Sequence, residues 1–106
     1  MALEVEHQDS VAVVTLSAEA ARNAFNSDSM QLISDTLNQL MDDVNVKSIV
    51  ITGTGKFFCA GADIEDFQLC INEGRIGPLV DNLTSILHPL QVRMRTDPTI
   101  LIAAMN

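Results

Sequence analysis

The stretch from Gly53 to Phe67, GTGKFFCAGADIEDF, compresses three glycines, two adjacent phenylalanines, a run of the smallest side chains and an acidic turn into fifteen residues. Just before it, Val46 to Thr52 holds Ile49-Val50-Ile51, a short apolar run suited to a strand covered on both faces. Just after it, Asp63, Glu65 and Asp66 cluster as acids do in the first turn of a helix, where they face its positive end. The stretch therefore reads as the turn from the carboxyl end of a buried strand into a helix, which is where open α/β sheets place their ligands.

Two familiar loops are excluded by detail. Gly53-Thr54-Gly55-Lys56 has a superficial likeness to a phosphate loop, but Lys56 is followed by Phe57 where a Walker loop needs Ser or Thr, and its glycines are wrongly spaced. A dinucleotide fingerprint needs a glycine where Phe58 stands. Ala60-Gly61-Ala62-Asp63 offers something else. Small residues let a ligand approach the main chain, and N–H groups at a helix start lack helical acceptors, so they can donate to a group that carries or develops negative charge. On this reading the segment has the makings of half an oxyanion hole, and Asp63 caps its own helix. A tight strand-to-helix turn with no ligand is the other reading, and spacing alone leaves both open.

Outward from this stretch the chain has α/β order. Leu3 to His7 and Val11 to Leu16 are β-prone runs joined by Gln8-Asp9-Ser10, a hairpin pattern. From Asp28, the residues Met30, Ile33, Leu37, Leu40, Met41 and Val44 recur at threes and fours, which predicts a helix with one buried face, capped by Ser27. Strand, helix and strand make a crossover unit. Val80, Leu83, Leu87, Leu90 and Met94 predict a helix from Pro78 to about Arg95, with a kink or a break at Pro89. Thr99 to Met105, TILIAAM, reads as a final buried strand. Gly74 to Pro78 is too short a linker to divide domains, so residues 1–106 form one domain.

Composition narrows the function classes. Fourteen acids against six bases give a net charge of −8 with no basic cluster, which argues against a nucleic-acid partner. No apolar run approaches the ~20 residues of a membrane span, and Met1 to Glu6 has no secretory-signal pattern. Cys59 and Cys70 have no partners at metal-ligand spacing, so they read as structural, reduced thiols of a cytoplasmic protein. No metal site is expected. Asp63, Glu65, Asp66, Glu73 and Asp81 read as solvated helical carboxylates rather than acid–base groups, His7 as an exposed strand-end residue, and His88, beside Pro89, as surface or structural rather than catalytic.

Three segments, ARNAFN (Ala21 to Asn26), SIVITGTGKFFCAGADI (Ser48 to Ile64) and PTILIAAMN (Pro98 to Asn106), in this order and at these separations resemble the first part of the crotonase superfamily, the enoyl-CoA hydratase/isomerase family. The resemblance implies a fold of repeated ββα units and an acyl thioester of coenzyme A as ligand, with no further cofactor. It implies that the Ala62 N–H is one of two donors to the thioester oxygen. It also implies that Ala24 and the segment Ala60, Gly61, Ala62, Asp63 and Ile64 surround the adenine, and that Arg22 lies near the CoA phosphates. Lys56 is a further candidate beside the phosphates, or a solvated loop lysine. Family members are much longer. Their second oxyanion donor and acid–base carboxylates lie in segments corresponding to positions after Asn106, so this chain reads as the N-terminal part of a crotonase and is expected to be inactive alone. Two other roles follow from the same residues: a non-catalytic acyl-CoA-binding module, and a self-associating element. Homo-oligomerisation, with a dimer favoured, is expected from the last strand, which has no later element to cover it.

Overall fold

The computed structural model describes residues 2–106. It contains a hairpin of β1 (Ala2–Gln8) and β2 (Val11–Ser17), helix α1 (Ser27–Asp42), strand β3 (Ser48–Gly53), helices α2 (Ile64–Asn72) and α3 (Ile76–Thr96), and strand β4 (Ile100–Ala103). The strands form one sheet in the order β1-β2-β3-β4, antiparallel within the hairpin and parallel from β2 to β4. The hairpin turns on Asp9, which takes a left-handed backbone (φ 54°) open to a short polar residue.

Strand register sorts the sheet into two faces. Ala12, Val14 and Leu16 pair with Ile49, Ile51 and Gly53, so their side chains share a face. On that face lies the main core, in which Ala12, Val14, Leu16 and Ile49 meet Ile33, Leu37, Leu40 and Met41 of α1 and Leu90 of α3. A second cluster joins Met30 of α1, Cys70 of α2 and Leu79 and Leu83 of α3, and Phe25 packs against both clusters.

Four sequence expectations are corrected. Asn26, not Ser27, caps α1: its side chain accepts from the Ser29 N–H at 2.9 Å while the Ser29 hydroxyl accepts from the Asn26 N–H, a reciprocal capping box that sets the helix start one residue earlier than a Ser27 cap would. Val44 lies beyond the C-cap at Asp43 and is 79% exposed, because the helical period ends before it. Helix α3 runs unbroken through Pro89, which forgoes only its own helical hydrogen bond; within it Leu79, not Val80, is buried. The last strand is an edge rather than a buried strand. Ile100 and Ile102 are 63% and 46% exposed because only β3 pairs with β4 and the helices cover the opposite face. On this second face Val13, Val50 and Ile102 stand in register as a continuous apolar row.

Candidate functional site

The strand-to-helix stretch leaves the end of β3 and folds back on itself. Gly53 has no room for a side chain: a Cβ there would meet the Phe57 and Phe58 carbonyl oxygens at 2.6 and 2.7 Å and the Asn23 Nδ2 at 2.9 Å. Gly61 takes a φ of +100°, which side chains resist, and so turns the chain into the final approach to α2. Asp63 is the N-cap of α2, its carboxylate accepting from the Glu65 and Asp66 N–H groups at 3.0 and 3.3 Å. The sequence reading of Asp63 as a cap therefore holds, and its carboxylate is occupied within its own turn.

Between Leu16 and α1 the chain makes a single 3-10 turn, Glu19–Ala21, and then passes through two consecutive left-handed residues, Arg22 and Asn23 (φ 54° and 56°). This brings Arg22 to Phe25 alongside Ala60 to Asp63. The Ala60 N–H donates to the Arg22 carbonyl at 3.1 Å, the Phe25 N–H to Gly61 and the Asp63 N–H to Phe25, both at 2.7 Å. The last two bonds make a parallel bridge of Phe25 with Ala62. Backbone directions alternate along an extended segment, so the amide of Ala62 is turned to the side opposite Phe25. Among the described residues it has no hydrogen-bond acceptor.

The two walls enclose a cleft of about 520 Å³, lined by Arg22, Ala24, Ala60, Ala62, Asp63 and Ile64 together with Ala20, Ala21 and Glu65. The structure thus brings together the residues singled out from both segments, with Gly61 supplying the backbone turn between Ala60 and Ala62. The lining is mostly alanine, which leaves main chain accessible from within the cleft. Arg22 carries its guanidinium over the Phe57 ring, 5.5 Å from the centroid, and has no carboxylate partner among the described residues. Ile64, 79% exposed, adds an apolar side chain at the rim.

Cys59 borders this turn. Its Sγ accepts the Gly61 N–H at 3.4 Å. Burial raises its pKa, with that amide pulling partly the other way, so the thiol is held in its protonated, less reactive form. Cys70 is buried in the second cluster, and both cysteines are free.

Sequence reasoning missed Asn23. It is fully buried and uses its whole carboxamide: Oδ1 accepts the Ala18 N–H at 2.7 Å, and Nδ2 donates to the carbonyls of Thr54 at 3.2 Å and Phe57 at 2.8 Å. The available signal was an asparagine inside an irregular segment between two regular elements, where a buried amide can serve as a local substitute for secondary structure. Asn106 was missed as well; its Nδ2 donates to the Gly55 and Phe57 carbonyls at 2.7 and 3.1 Å.

Comparison with known proteins places these features in context. A profile described as enoyl-CoA hydratase/isomerase matches residues 6–106. The 2,3-dehydroadipyl-CoA hydratase of Escherichia coli is 34% identical over 104 residues, covering 98% of this chain and 38% of that protein. A probable enoyl-CoA hydratase of Mycobacterium bovis is 40% identical over 62 residues, covering 58% of this chain and 24% of that one. The crystal structure of an enoyl-CoA hydratase from Polaromonas superposes with a TM-score of 0.82 at 27% identity, covering 96% of this chain and 39% of the other. The chain thus spans well under half the length of each of these proteins.

Proposed function

The chain belongs to the enoyl-CoA hydratase/isomerase family, and from that membership we propose that its cleft takes an acyl-CoA thioester, with the Ala62 N–H donating to the thioester oxygen. The observation that carries this reading is the Ala62 amide, left without an acceptor by the bridge to Phe25 at the wall of a small-residue cleft. A backbone donor held in place before the ligand arrives needs no reorganisation, which is what makes such groups effective on developing oxyanions. Ala24 and Ala60 to Ile64 form the surround of the adenine, and Arg22, free of carboxylates, serves the phosphates. No cofactor beyond the CoA carried by the substrate is called for.

Within the described residues the cleft carries no carboxylate placed for proton transfer: Asp63 is engaged by its own helix, and Glu65 lies exposed at the rim. The chain alone is therefore proposed to bind and polarise a thioester without hydrating enoyl-CoA at an enzyme's rate. A cytoplasmic location belongs to the same proposal, supported by the two free thiols. Titration calorimetry with acetyl-CoA and with CoA tests it. Ala62→Pro removes the donor amide without breaking an existing hydrogen bond; it is expected to erase the preference for acetyl-CoA while CoA still binds. Equal affinities of the unsubstituted chain for the two ligands would refute the role of Ala62, and binding of neither would refute the acyl-CoA reading.

A second reading, self-association through β4, is favoured by one observation: an edge strand with Ile100 and Ile102 exposed beside the apolar row of Val13 and Val50. Twofold dimerisation is the arrangement proposed, and sedimentation showing monomer across a wide concentration range would eliminate it.

A further inference from the structure

The two walls of the cleft are zipped by main-chain hydrogen bonds alone: Ala60 to Arg22, Phe25 to Gly61 and Asp63 to Phe25. Such bonds carry no information about register, since any residue can make them. Yet register decides which amide is left free. A slip by one residue would turn the Ala62 N–H onto Phe25 and expose that of a neighbour, because alternate residues of an extended segment face opposite ways.

Something must therefore index one wall against the other, and the buried Asn23 is placed to do so. It follows Arg22 in one wall, and its Nδ2 holds the Thr54 and Phe57 carbonyls of the loop that leads into the other. Its Oδ1 fixes the same residue to Ala18 at the end of β2. The Phe57 carbonyl accepts a second time, from Asn106 Nδ2, which follows β4 in sequence. The loop between Gly53 and Ala60 is thus held at one carbonyl by two side-chain amides, and it lies so close to Gly53 that a Cβ there would meet the Phe57 and Phe58 carbonyl oxygens at 2.6 and 2.7 Å.

We propose that Asn23, assisted by Asn106, is the positioning residue of the cleft: its carboxamide sets the register of Arg22–Phe25 against Ala60–Asp63 and so selects Ala62 as the residue whose amide is free. The register claim stands on the geometry above, and only its consequence for a ligand rests on the acyl-CoA reading.

Amide hydrogen exchange of the full chain tests it without any ligand. In the unsubstituted protein the Ala60, Phe25 and Asp63 amides are expected to be protected and that of Ala62 not. Asn23→Ala should speed exchange at those three amides by roughly tenfold or more, as the loss of several buried hydrogen bonds implies, while amides in the middle of α1 change less. A generally destabilised protein would instead accelerate α1 and the zipper together. If Asn23→Ala fails to fold, Asn106→Ala, which alters an exposed side chain, should give the same selective pattern at smaller amplitude. Zipper amides that keep their exchange relative to α1 in the variant that folds would overturn the proposal. In a separate arm, the carbonyl ¹³C resonance of labelled acetyl-CoA should move on binding to the unsubstituted chain and return toward its free position in the variant while CoA still binds. An unchanged bound shift in the variant would count against the register role. Failure of acetyl-CoA to bind the unsubstituted chain would instead refute the acyl-CoA reading, and the exchange result alone would decide the clamp.

Discussion

The block made of β2, α1 and β3 and the loop from Gly53 to Asp63 adjoin each other, yet they are held by different forces. In the block, Ala12, Val14, Leu16, Leu37 and Ile49 are each no more than 2% exposed, and the structure is fixed by apolar contact. In the loop, Phe57, Ala60, Gly61 and Ala62 are exposed, and what fixes the chain is a set of hydrogen bonds from Asn23, Asn106 and the Arg22–Phe25 backbone. Apolar burial is non-directional and tolerates small adjustments, whereas a hydrogen-bonded loop is either in register or out of it. A cleft whose walls are joined by main-chain groups needs the second kind of restraint, with the first kind as its foundation. Phe25 joins the two regions: its backbone bridges to Ala62 while its ring packs against both apolar clusters.

The sharpest way to separate the two regions is to damage the foundation alone. Leu37→Ala removes a side chain that is 2% exposed at the centre of the α1–sheet contact. It is expected to cost about 2–5 kcal/mol, a large part of what a domain of this size has. Urea unfolding measures the loss, and in the population that remains folded the zipper amides should keep their exchange pattern relative to one another. A selective loss at the zipper would show that the cleft depends on this packing directly and would dissolve the distinction.

A smaller effect is expected from the opposite substitution. Gly53→Ala places a methyl against two backbone carbonyls and the Asn23 amide, all closer than 3.0 Å, and backbone cannot swing aside as a flexible side chain does. The expected cost is about 1–3 kcal/mol by overpacking. Its main consequence should be local, with the loop displaced and the zipper amides exposed to exchange before those of α1. Stability and exchange both matching the unsubstituted protein would mean that the turn is less constrained than its contacts indicate.

The same division explains what the sequence made legible. Met30, Ile33, Leu37, Leu40 and Met41 announce α1 because burial against a sheet imposes the helical period on the sequence; Ile49-Val50-Ile51 announces β3 by its apolar run, although only Ile49 is buried and the strand is covered on one face rather than on both. Val44 misled because periodicity alone does not say where a helix stops; the C-cap at Asp43 does. The small-residue run pointed to the cleft, and the cap at Asp63 followed from residue type and place. Nothing periodic marks Asn23. Its importance arises from contacts with Thr54 and Phe57, more than thirty residues away in the chain, and only the fold brings these together. The exposed face of β4 was hidden for a related reason, since TILIAAM is as apolar as a buried strand and the pattern does not record which face is covered.

The least of the expected effects concerns the turn from α3 into β4, where charge does the holding. Asp97 follows the last residue of α3; it accepts the Thr99 N–H at 3.0 Å and an Arg93 N–H at 3.3 Å, and Arg93 reaches on to Asp42 and Asn38 at the end of α1. These bonds, Thr99 foremost, hold the Asp97 pKa below its ordinary value of 3.8. A carboxylate whose folded pKa lies below its unfolded one contributes in full above the unfolded value and loses that contribution as the pH falls through the folded one. The contribution of Asp97 should thus be constant from neutral pH down to about 4 and decline below it. Because other carboxylates titrate in the same range, the informative quantity is the difference in urea midpoint between the unsubstituted chain and Asp97→Asn, measured at several pH values from 7 to 3. That difference should be small, flat above pH 4 and narrower below it. A difference that stays the same down to pH 3 would show that the turn is held by its neutral hydrogen bonds, as the Phe57 loop is, and would place both ends of β4 in the same class as the cleft.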